Sequence, residues 1–396
     1  MRIGLLVATA LAAMASHATA ISSSNTAQVT QTGTTNQAQT NQLGNTNSQI
    51  NVTQAGNGNT AGATGGPAGV DQQGNTAALA TVLQQGDQNQ VSVEQNSSNG
   101  ITANVQQFGA QNSATVSQTA QSNNYLSNIL QAGTGNNATI QAATAANSGA
   151  FVPLNWANDT IDQGGNNNQA TVQQSVTLDS GFTVYQRGDG NNASITQNGQ
   201  TDGTINTAEI AQSGSGNSAT IGQSGNSATT ATIHQGMNGN SEAYAAFSST
   251  ASITQNQNVQ STAFIDQQSV VGSVAAITQN DSLLSSAQIT QNGSNQNGTI
   301  NQAGVDNSSA LINQVGSQQT ATINQSGGSW LTANVYQAGS ADIATVTQTG
   351  TNNAAYVNQI GTGGPANIAV VTQAASNYVA TVNQNGAGNV ANVSQH

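Results

Sequence analysis

The chain has 396 residues, with 14 acids against two strong bases for a net charge of −12; it has no cysteine, and only 4% of its residues are charged. Charge neutralisation of nucleic acid or of anionic lipid is therefore excluded as a mode of binding, and disulfides are excluded as a source of stability. Asn, Gln, Ser, Thr, Ala and Gly dominate and aromatics make up 3%, a composition common to disordered chains and repetitive β-structure that only periodicity separates.

Residues 1–20, MRIGLLVATALAAMASHATA, combine Arg2, an apolar run from Ile3 to about Ala15, and Ala18 and Ala20 in an A-x-A arrangement. This reads as a secretory signal peptide. The run is too short for a bilayer core of about 30 Å, and no later stretch approaches the roughly twenty apolar residues of a membrane helix, so no membrane insertion is expected. Residues 21–396 are expected to form one exported repeat domain, in which Arg187 is the one strong base.

The repeat opens at Gln31, Gly33, Asn36, Ala38 and Gln42. The same residues at the same offsets return at Gln107/Gly109/Asn112/Ala114/Gln118, Gln163/Gly165/Asn168/Ala170/Gln174, Gln186/Gly188/Asn191/Ala193/Gln197 and Gln212/Gly214/Asn217/Ala219/Gln223. They return again at Gln348/Gly350/Asn353/Ala355/Gln359 and in the tail at Gln384/Gly386/Asn389/Ala391/Gln395. Two half-units make a period of about 22 or 23 residues, and about fifteen such repeats fill the chain, the signature of a solenoid. Three stretches break the rhythm and read as surface loops or degenerate strands: 56–69, which lengthens a turn, 144–160, with Pro153 and Trp156, and 236–250.

Within a half-unit, N-x-A-x-[IV]-x-Q puts Asn353, Ala355, Val357 and Gln359 on one strand face and Ala354, Tyr356 and Asn358 on the other. Alternating Val, Ile and Thr with a Gly every dozen residues argues against helix. The Gly after each Gln reads as a turn residue that tolerates positive φ. The expected fold is all-β: a parallel β-solenoid with two strands per rung, cross-β in character, each rung about 4.8 Å above the last. Stacking sets Gln over Gln and Asn over Asn, so that buried amides satisfy one another as ladders. The residues expected to form this structural and self-assembly ladder are Gln31, Asn36, Gln42, Gln107, Asn112, Gln118, Gln186, Asn191, Gln197, Gln348, Asn353, Gln359, Gln384, Asn389, Val393 and Gln395.

The offsets Q-x-G-x-x-N-x-A-x-x-x-Q, paired into repeats of about 22, resemble the curlin repeat of bacterial curli fibre subunits from Asn25 to Gln395. The resemblance implies a secreted subunit of an extracellular, cell-surface amyloid fibre in the biofilm matrix, used in adhesion. As partners it implies further copies of the chain joined end to end, a nucleator subunit and a curli-type secretion channel. Repeats run from Asn25 to Gln395, so both terminal rungs are expected to be bare strand edges that another copy caps.

No catalytic, cofactor or metal site is expected. His17 lies in the signal segment, His234 reads as a solvated surface residue and His396 is terminal, and no pair has metal-ligand spacing. Asp87, Asp189, Asp281, Asp306 and Asp342 read as turn acids, and Glu94, Asp162, Glu209 and Asp266 as outward strand acids that limit sideways aggregation. Trp156 and Trp330 read as turn packing, and GDGNN at 188–192 lacks the Lys and strand-to-helix setting of a phosphate loop. Two alternatives fail on pattern. A monomeric ice- or glycan-binding solenoid needs persistent threonine columns, but Thr345-Val346-Thr347 is matched two half-units away by Thr322-Ile323-Asn324 and Val370-Val371-Thr372, and a polysaccharide-degrading enzyme needs clustered acids.

Overall fold

The computed structural model describes residues 24–62, 69–120, 125–143, 158–177, 180–200, 206–236 and 245–396. The signal segment with His17, and Pro153 and Trp156, lie outside the described residues. The described residues contain strand and no helix, and the strands pair in parallel as a β-solenoid. The chain divides into two compact units, residues 1–190 with 195–203, and residues 191–194 with 204–396, which together hold about 14 turns.

In the first unit one sheet stacks Thr26–Thr34, Gln49–Asn57, Leu79–Asp87, Thr102–Ala110, Leu126–Thr134, Asn158–Asn166 and Ser180–Asp189 in chain order. Facing it are Gln90–Asn96, Ser113–Thr119, Asn137–Ala143 and Gln169–Thr177, again in order. In the second unit one sheet includes Thr262–Val271, Ser286–Ser294, Ser309–Ser317, Thr332–Ser340, Ala354–Gly361 and Val379–Gly386. Opposite run Thr250–Asn256, Val274–Asn280, Asn297–Asp306, Thr320–Ser329, Ile343–Thr351, Ile368–Gln373 and Val390–Gln395.

Register follows the repeat. Ile289 stacks on Ile312 and Gln291 on Gln314, 23 residues apart, while Gln337 and Gln359 are 22 apart. Burial alternates along each strand as the two-residue period requires, and a register slip of one residue would turn the whole apolar set outward. Ile289, Ile312, Val335 and Val346 are fully buried, each adding roughly 1.5 to 3 kcal/mol of apolar burial, while the small Ala287, Ala310 and Ala333 lie buried beside them in each strand.

The structure corrects the reading of the breaks. The step from Gln54 to Gln84 is 30 residues, and the extra ones fall inside a strand: Thr60–Ala61 pairs Gln90 and Val91, Val70–Gln73 pairs Val93 to Asn96, and the insertion lies between. Both pieces keep their ladder partners, so the strand resumes in register beyond the insertion and the turn keeps its length. Residues 158–160 belong to a strand paired on Leu126 to Asn128. In the third break Ala246–Phe247 pairs Gly214 and Ser215, and Thr250 opens the next strand; 237–244 lie outside the described residues.

The turn also differs from expectation. Gly109 is still paired within its strand, over Gly133, and the corner is made two residues later by Gln111 at φ 57. Thr35, Gln88 and Asn167 make the equivalent corners at φ 56 to 58 and Gly58, Gly135 and Gly190 make them at φ 66 to 70, so the left-handed corner is shared between glycine and larger residues.

Candidate functional site

The interior of each unit is a set of side-chain columns. In the first unit Gln31, Gln54, Gln84, Gln107, Gln131, Gln163 and Gln186 each pass one hydrogen bond to the next, Nε2 to Oε1, at 2.6 to 3.0 Å. In the second, Gln267, Gln291, Gln314, Gln337, Gln359 and Gln384 do the same at 2.8 to 2.9 Å, as do Gln255, Gln279, Gln302, Gln325, Gln348, Gln373 and Gln395 in the opposite sheet. Every donor points toward the later rung. The second N–H crosses the core to a backbone carbonyl of the facing sheet: Gln107 to Gln90 at 3.0 Å, Gln186 to Gln169 at 3.0 Å, Gln348 to Thr332 at 2.9 Å. One amide thus joins successive rungs and clamps the two sheets, which the sequence pattern did not reveal.

Asparagine forms a second column at the corner. Asn36, Asn112 and Asn191 donate from Nδ2 to the carbonyls of Gly56, Gly133 and Gly214 one rung on, at 2.9 to 3.1 Å. The Oδ1 atoms of Asn36 and Asn191 accept the backbone N–H of Asn59 and Asn217. The glycines are therefore part of the site. A Cβ at Gly109 would lie 2.1 Å from the Gly133 carbonyl oxygen, and one at Gly33 only 1.9 Å from that of Gly56.

The remaining expected residues take the same places. Gln42 donates to Gln72 at 2.8 Å, Gln118 accepts from Gln95 at 2.8 Å, and Gln197 accepts from Gln174 at 2.7 Å. Asn353 donates to the carbonyls of Thr349 and Ala375, and Asn389 to Asn367 Oδ1 at 3.0 Å. Val393 packs over Val371 and is half-buried. The carbonyls of Asn389 and Gln395 accept the N–H groups of Ile368 and Ala374, which turns the odd-numbered residues of Val390–Gln395 toward the preceding strand. By the alternation of a parallel ladder, the N–H groups of Asn392 and Ser394 face the other side, where no strand pairs among the described residues.

Several residues depart from their expected places. Asp342 is fully buried in the asparagine column, where its Oδ1 accepts the backbone N–H and Nδ2 of Asn367 at 3.2 and 2.9 Å, and so it is not a solvated turn acid. His234 is bonded through Nε2 to Glu209 Oε1 at 3.3 Å and meets the edge of Phe264, leaving 15% of its side chain exposed. The bond to His234 holds the Glu209 carboxyl below its ordinary range, while burial raises that of Asp266 two strands on. Trp330 occupies a corner at φ 57 with 61% of its surface exposed, so it does not pack the turn. Arg187 grips both carboxylate oxygens of Asp162, at 3.1 and 2.8 Å, and lies over the Tyr185 ring.

Residues 203–235 and 331–361 match the family model of the curlin associated repeat. The chain carries curlin repeats. The second match contains Thr332–Ser340, Ile343–Thr351 and Ala354–Gly361, so a curlin repeat corresponds here to a strand, the facing strand, and the start of the next rung. Its Gln337, Gln348 and Gln359 are rung-to-rung donors, as are Gln212, Gln223 and Gln235 of the first match. Comparison of the whole chain with curated proteins finds no match. Curlin repeats folded as a β-solenoid fit a curli-like structural subunit.

Proposed function

We propose that the protein is a secreted structural subunit that self-assembles into extracellular, curli-like amyloid fibres of the biofilm matrix and serves surface adhesion. The observation that supports this most directly is the unbroken, one-way glutamine ladder of the second unit. Each rung meets the next with the same residues in the same register, so the face that receives a rung of this chain also fits a rung of another copy. Because every Nε2 donates in one direction, copies join head to tail, the heterologous contact that builds filaments. Asn392 and Ser394 offer backbone donors to that contact. The ladder residues named from the sequence form its stacking core, with Asn389, Val393 and Gln395 of the last rung at the assembly surface, a nucleator subunit and a curli-type channel are its expected partners, and the role is structural, with no catalysis.

The test is incubation of the purified chain from residue 21, followed by thioflavin fluorescence, electron microscopy and fibre diffraction. Fibres with a meridional reflection near 4.8 Å, about the interstrand spacing, are expected. A soluble monomer that persists at high concentration for days sinks the proposal.

A further inference from the structure

The glutamine column of the first unit's second sheet is interrupted once, and beside the interruption a carboxyl is enclosed. The column runs through Gln42, Gln72, Gln95 and Gln118 and resumes with Gln174 and Gln197, but Ala142 occupies the place between. The buried Tyr125 hydroxyl donates to Gln174 Oε1, and Gln118 turns its Nε2 to Ser127 Oγ at 2.9 Å. Asp159 stacks on Ser127, in the column that holds Ala80 and Ala103 in earlier rungs. It is fully buried, its Oδ1 receives a long bond of 3.4 Å from Gln174 Nε2, and its Oδ2 has no hydrogen-bond partner.

Among the described residues no charge nearby compensates it. The facing strands Asn137–Ala143 and Gln169–Thr177 carry no titratable side chain, and Leu126–Thr134 carries none either. Tyr125 is the titratable group buried with it. Asp162 and Arg187 bond each other on the outward face with Tyr185 beneath the guanidinium, and Asp189 bonds Asn166 at the strand end. A carboxylate enclosed this way has the Phe182 backbone and the long bond from Gln174 but no countercharge, whereas the neutral acid carries a proton that can be donated within the rung.

We propose that Asp159 is a proton-operated lock on the stacking of Asn158–Asn166 upon the rung built from Leu126–Thr134 and Asn137–Ala143, which closes with the neutral acid and loosens when the acid ionises. Burial raises the Asp159 carboxyl well above its ordinary range, against the smaller opposing pull of the Phe182 backbone and Gln174. The sign follows: a raised acid favours folding fully below the ordinary aspartate range, about 3.9, and loses that advantage as pH climbs through the raised value, by up to about tenfold in the opening equilibrium per pH unit.

The test is hydrogen exchange by mass spectrometry on the chain from residue 21 between pH 5 and pH 8, corrected for the intrinsic pH dependence of exchange. Protection of Asn158–Asn166 is expected to fall about tenfold or more relative to the reference strand Thr332–Ser340. Asp159→Asn, which keeps the shape, and Asp159→Ala, which restores the alanine of the column, are each expected to hold that ratio constant within about twofold. Flat protection in the unmodified chain, or an equal fall in Asp159→Asn, overturns the proposal. This inference concerns closure of one subunit and stands whether or not fibres form.

Discussion

A methyl group at Gly109 would collide with the Gly133 carbonyl at 2.1 Å, and its φ of 107 lies where side chains are strained, so we expect Gly109→Ala to cost at least about 1 to 3 kcal/mol. Gly222 has nothing within 4 Å of its would-be Cβ, and Gly222→Ala should leave the denaturation midpoint within about 0.5 kcal/mol or raise it. A denaturant titration of both variants checks the pair. The sequence marked the first glycine as a turn residue because positive φ is what a missing side chain usually signals. The tight approach of the next rung's carbonyl is a property of stacking, and no local pattern announces it. Glutamine was more legible, since identical spacing over the chain predicts Gln over Gln. Replacing Gln291 by Leu removes the donor to Gln314 and strands a buried amide oxygen, at an expected cost of about 1 to 3 kcal/mol by the same titration. Val357→Lys buries an ammonium and should block folding of its rung, whereas the outward, part-exposed Asn358 should accept Lys with a much smaller change.

Among the strands, two-residue alternation and the 22- or 23-residue step were readable because both reflect which face meets the core. The insertion at 62–69 was misread as a longer turn, since Gly and Pro mark irregular backbone without saying whether a strand resumes in register beyond it. Asp159 and Asp342 were missed as interior residues for a related reason: column position, which the offset from the next Gln gives, outranks side-chain chemistry here. The stack of Glu209, His234 and Asp266 gives an element-level pH prediction. Glu209 is held low by His234, so its contribution is present above the ordinary glutamate range and is lost as pH falls through its lowered value; Asp266, raised by burial, acts in the opposite sense. Glu209→Gln should therefore flatten the acid-side loss of stability of these strands, read as thermal midpoint between pH 3 and pH 7. The last strand gives a kinetic prediction. Proline at Asn392 removes a donor on the open side and should slow seeded elongation about tenfold or more with circular dichroism unchanged, whereas proline at Val393 removes a donor to the preceding strand and should fray the strand itself. The sequence alone had singled out Val393; the bonding phase moves the sharper probe one residue back.

At the scale of the molecule, stability is divided among many similar rungs, so the loss of one contact is local while the loss of a column is shared. Among the described residues the acids other than the buried Asp71, Asp159 and Asp342 sit on outward faces or at corners, and net charge of one sign discourages flat sheets from associating sideways. The one-way hydrogen bonding of the glutamine columns has a further consequence, for accuracy of copying. Turning a single interior amide end for end would set two N–H groups against each other on one side and two oxygens on the other, with no water to relieve either. A column can be reversed only as a whole, and each neighbour strengthens the orientation already chosen. A rung laid on an existing one therefore inherits the sense of its amides.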